Sequence, residues 1–85
     1  MNIVTRMRNA IRSTGEDASQ NAITIYNDPR VDGIRRLKAQ FGYRVGRDMD
    51  PTRLIAMRQA VTQEFGDAMV KMDTDYRLCV FVKVA

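Results

Sequence analysis

The sequence predicts one α+β domain, three helices against a small antiparallel sheet, in the order α-β-α-α-β-β. Three observations carry that expectation. Eighty-five residues is the length of one small domain, so residues 1–85 are read as a single unit. Two stretches, 28–42 and 50–66, open on Asp-Pro and close on Phe-Gly, which is the punctuation of helices. The C-terminal stretch has two apolar-rich runs on either side of the polar turn Asp73-Thr74-Asp75, as a β-hairpin does.

Residues 2–12 read as a helix, because Ile3, Val4, Met7 and Ile11 recur on one face while Arg6, Arg8 and Arg12 point elsewhere. Ser13-Thr14-Gly15 ends it. Residues 21–27 read as a strand, with Ile23 and Ile25 alternating with Thr24 and Tyr26. A second helix is expected over 29–41. Asp28 would cap it, Pro29 would take the first helical position, and Val31, Ile34, Leu37 and Phe41 would form its stripe. Gly42 would then be its left-handed stop.

The third helix, 51–65, starts at Asp50-Pro51, carries Leu54, Met57, Val61 and Phe65 on one side, and stops at Gly66. Strands over 68–72 and 76–84 complete the hairpin. In the second of these, Leu78, Val80, Val82 and Val84 share one face; Arg77, Cys79, Phe81 and Lys83 share the other. The expected core is Ile3, Met7, Ile11, Ile23, Ile25, Ile34, Phe41, Leu54, Met57, Val61, Phe65, Val70, Leu78, Val80 and Val82.

The available chemistry is narrow. Hydrophobic residues at 45% and charged residues at 28% are the balance of a folding chain. No apolar run approaches the ~20 residues of a membrane span, and the N-terminus lacks a secretory signal. A lone Cys79 cannot staple the chain to itself, which fits a reducing, cytoplasmic setting.

The absence of histidine removes the usual proton shuttle and leaves too few soft ligands for structural zinc. Asp48/Asp50 and Asp73/Asp75 do not continue into a calcium loop, and no glycine loop is built to cradle phosphate. The expectation is no enzyme, no catalytic residue, no metal and no cofactor.

Charge is the informative feature. The chain is +4, and its basic side chains are eleven arginines against three lysines. Arginine's planar fork suits carboxylate and phosphate recognition. Eight basic residues fall within 30–58, and Arg30, Arg35, Arg36, Arg44, Arg47, Arg53 and Arg58 are the candidate binding residues. They point to a non-catalytic regulatory or assembly module that docks on an acidic protein partner, in the manner of phage-encoded or accessory regulators. Cys79, Phe81 and Lys83 on the last strand are the candidate interface strand, whose free edge would admit a second copy or a partner's strand.

The alternative is a winged-helix-like nucleic-acid binder, with the third helix offering Thr52, Arg53, Gln59 and Gln63 to base edges and Arg44 and Arg47 near phosphates. A lesser alternative starts from the basic amphipathic first helix. With the strand, central helix and hairpin that follow it, the length and element order resemble the bacterial division-site topological specificity factor. That resemblance implies a regulator at a membrane surface.

Overall fold

The side chain of Asn2 accepts a hydrogen bond from the Thr5 N–H at 2.8 Å and so starts helix α1 (Ile3–Arg12). Its Met7 and Ile11 are fully buried, one helical turn apart on the face that the sequence marked as apolar. The computed structural model describes residues 2–28 and 36–83 of the chain. In these residues α1 is followed by β1 (Ile23–Asp28), β2 (Arg36–Phe41), the one-turn α2 (Val45–Asp48), α3 (Pro51–Phe65), β3 (Val70–Met72) and β4 (Leu78–Lys83). The architecture is α+β, with three helices and one four-stranded antiparallel sheet in the order β1-β2-β4-β3.

α3 has the bounds that its caps dictate. Asp50 Oδ1 accepts from the Thr52 N–H at 2.8 Å, Pro51 sits in the first turn, and Gly66 leaves the helix at φ 95°, where an L side chain is disfavoured. Met57 and Val61 of α3 meet Met7 and Ile11 of α1 above Ile23, Ala39, Phe41, Val70, Leu78 and Val80 of the sheet. Both long helices therefore cover one face of the sheet, called here the inner face.

The second helix is corrected. Residues 36–41 are β2, paired on one side with β1 (Ile25 opposite Ala39) and on the other with β4 (Ala39 opposite Val80). Leu37 and Phe41 fit the expected helical stripe, but together with Ala39 they also obey a period of two, and pairing with β1 and β4 places the segment in the middle of the sheet. Pro29 to Arg35, the first part of that expected helix, lies outside the described residues. Gly42 consequently caps no helix. Its N–H donates to the Ala22 carbonyl at 2.7 Å, and a Cβ there would stand 3.2 Å from that same oxygen. The glycine permits a close backbone approach.

The core differs from the expected one in a few places. Ala18, Ala39 and Val45 join it, Ile25 is 37% exposed on the edge strand, and Ile34 lies outside the described residues. The faces of the last strand are as expected for Leu78 to Lys83. Its edge is corrected in part: β4 pairs with β2 over Cys79–Lys83 and with β3 over Leu78–Val80, so among the described residues the β3 side of the strand is unpaired only over Phe81–Lys83.

Candidate functional site

Alternation along the strands gives the sheet a second, outer face, and the register arranges it in rows. Tyr26, Lys38 and Phe81 stand in one row across β1, β2 and β4. Asp28, Arg36 and Lys83 form the row on one side, Thr24, Gln40, Cys79 and Lys71 the row on the other. Tyr26, Thr24, Lys71 and Lys83 are exposed, while Arg36, Lys38, Gln40 and Phe81 are half-buried. Four cations and two aromatic rings thus share one surface opposite the helices.

Local contacts fix the middle of this face. Lys38 Nζ lies 5.8 Å from the Tyr26 ring centroid and 3.8 Å from Asp73 Oδ2, a cation–π contact and a weak ion pair. Asp73 is held in the β3–β4 turn, where its Oδ1 accepts from the N–H groups of Asp75 and Arg77, each at 2.9 Å. Arg36 Nε is buried without a hydrogen-bond partner. Such a donor carries a desolvation cost that an incoming acceptor would relieve.

Cys79 shares the outer face by register but is fully enclosed, its Sγ 3.6 Å from the Arg77 carbonyl and 3.9 Å from Asp73 Oδ2. Burial pushes its thiol up to about 11, with Lys38 opposing the shift and Asp73 adding to it. It is a packed, protonated side chain and not a contact residue. Of the expected interface trio, only Phe81 and Lys83 reach the surface.

The arginine set does not form one face. Arg30 and Arg35 lie outside the described residues. Arg44 and Arg53 line a cleft of about 460 Å³ floored by Phe41, Val45 and Met57, but both meet acids. Arg53 donates to the two carboxylate oxygens of Glu16 at 2.8 and 2.5 Å, and Arg44 Nη2 is 3.3 Å from Asp75 Oδ1. The hydrogen bond from Arg53 holds the Glu16 carboxyl below its usual range, against a smaller opposing effect of burial. Arg47 is 3.9 Å from its neighbour Asp48. Arg58 is on the solvent side of α3 beside Ile55. Only Arg36 joins the outer face.

The same geometry removes supports from the other readings. With 36–41 in the sheet, these residues cannot pair with α3 as a helix-turn-helix, and Arg53, expected to reach base edges, is engaged by Glu16. The apolar side of α1 that would enter a membrane is packed in the core. Tyr26, Lys38 and Lys71 were not among the expected site residues. For Lys38 the signal was present in Arg36-Leu37-Lys38-Ala39-Gln40-Phe41, which alternates strictly between polar and apolar.

Comparison with protein-family models, with curated proteins and with solved structures finds no match for this chain. Among the described residues, no helix is long and apolar enough to cross a membrane, and no three His, Cys, Asp or Glu cluster as a metal site would require.

Proposed function

We propose that the protein is a non-catalytic binding module that docks the outer face of its sheet on a polyanionic partner. One observation carries the reading: the register places Arg36, Lys38, Lys71 and Lys83 on one surface with Tyr26 and Phe81. Opposing that surface to an acidic one gives electrostatic steering and orientation, and the rings supply the apolar contact area that binding surfaces concentrate in aromatic side chains. This is the acidic-partner reading of the arginine-rich chain moved to a different surface, because Arg44 and Arg53 already face carboxylates. A reducing cytoplasm suits the free thiol of Cys79.

Retention on immobilised heparin tests it. The double variant Lys71→Glu/Lys83→Glu should elute at clearly lower salt than Arg47→Glu/Arg58→Glu, which makes the same change in net charge away from the outer face. Equal shifts in the two variants would mean that net charge alone governs retention, and the surface assignment would fall.

A further inference from the structure

We infer that the polyanion taken by the outer face is a single-stranded nucleic acid, whose bases stack on Tyr26 and Phe81 while its phosphates meet Arg36, Lys38, Lys71 and Lys83. The inference rests on the reading of that face as a polyanion-binding surface and adds the class of partner.

The argument begins with the middle row. Tyr26 and Phe81 belong to strands separated by β2, with Lys38 between them, so their positions are two strand spacings apart, about 10 Å. Two aromatic side chains astride a cation match what an unpaired strand presents, flat bases on a charged backbone. Aromatic side chains on an exposed sheet are a common way to stack such bases without regard to sequence. A carboxylate-bearing peptide would use the four cations but would give the rings no flat partner.

Width argues against a duplex. Four strands spaced at roughly 4.8 Å put the two outer strands about 14 Å apart before side chains are added. The major groove of B-form DNA is about 12 Å wide and admits a helix or a two-stranded ribbon. A single strand has no groove to enter and can lie across the rows. Beside the stacking row, Thr24 and Gln40 sit opposite each other and bring a hydroxyl and an amide that can donate to or accept from base edges. In the row on the other side, the half-buried Arg36 and the exposed Lys83 bring positive charge for phosphate.

The test is fluorescence anisotropy of the whole chain with labelled oligo(dT) and oligo(rU) of about 12 nucleotides, within the ~4–16 that one small domain covers. A DNA duplex of the same length and polyglutamate are the comparators, each at two salt concentrations. The expected result is that one or both single strands bind more tightly than the duplex and than polyglutamate, and weaken as salt rises.

Tyr26→Ala should then weaken binding on the order of tenfold, while Tyr26→Phe, which keeps the ring, should not. Phe81→Leu keeps apolar volume in the half-buried position, removes the flat ring, and should also weaken binding. Circular dichroism of each variant checks that it folds. A duplex bound as tightly as the single strands would overturn the inference, as would folded ring variants that bind like the parent chain. Binding to polyglutamate in preference to the oligonucleotides would overturn it and leave the polyanion surface standing. Silence toward every polyanion would remove both.

Discussion

Tyr76 has φ 64°, a left-handed conformation that costs a residue with a Cβ roughly 1–2 kcal/mol. The turn holds it there, with its N–H donating to the Asp73 carbonyl at 3.1 Å and its own carbonyl accepting from the Gly46 N–H at 3.0 Å. Glycine removes the steric cost but loses more backbone entropy on folding. Tyr76→Gly should therefore be more stable than Tyr76→Ala by about 1 kcal/mol in denaturant titrations. An alanine variant equal to the glycine variant would show that no strain resides at this position.

Glu16 offers a pH test at the same scale. Its carboxyl titrates lower in the folded chain than in the unfolded one, because Arg53 hydrogen-bonds the ionised form. The folded state thus gains from this pair above the ordinary carboxylate value of about 4.3, and loses that gain as pH falls through the lowered one. The melting temperature of the parent chain should exceed that of Glu16→Gln at neutral pH, and the gap should narrow on acidification below about pH 4. A gap that stays constant would mean that Glu16 contributes by packing alone.

At the scale of elements, the sharpest contrast is between α3 and β2. The bounds of α3 follow from its own ends, so its cap can be tested in isolation. Asp50→Ala should cost about 1 kcal/mol, and Asp50→Asn much less, because asparagine retains the oxygen that accepts from Thr52. Thermal or denaturant unfolding reads both, and equal losses would show that charge near the helix end matters more than the cap.

β2 was not legible by the same rules. Asp28-Pro29 and the spacing of Val31, Ile34, Leu37 and Phe41 satisfy helix punctuation, while Leu37, Ala39 and Phe41 satisfy strand alternation. Local propensity does not break that tie, since Leu, Lys, Ala and Gln form helices well. Pairing with β1 and β4 breaks it, and both partners are far away in the chain or across an intervening segment. The misplacement of the binding residues follows from this. Arg36, Lys38 and Gln40 come to one surface only if their segment is extended.

Across the whole molecule, α1, α3 and all four strands contribute to one core, so unfolding is expected to be a single cooperative event. Cys79 is an internal reporter of that event, because it is buried in the central strand β4 and its thiol is pushed up to about 11. A thiolate-seeking reagent near neutral pH should label it only with unfolding, at the same denaturant midpoint as the loss of helical circular dichroism. Labelling well before that midpoint would show that the turn over Cys79 opens independently. The same tertiary arrangement divides the positive charge into two kinds. Arg6, Arg44 and Arg53 meet Glu64, Asp75 and Glu16, whereas on the outer face Lys38 has a longer contact with Asp73, at 3.8 Å.

The sequence by itself determined the α+β class, α1, α3 with its caps, the hairpin of β3 and β4, and the two faces of β4. Each rests on short-range physics: a side chain capping an amide, a glycine taking a left-handed turn, a period of two or of about four. Only the tertiary structure decided that 36–41 is a strand, that β4 is internal, and which cations are left for a partner. Those outcomes depend on which backbone groups and which acids arrive from distant parts of the chain. A list of charges in sequence order carries no record of their arrival.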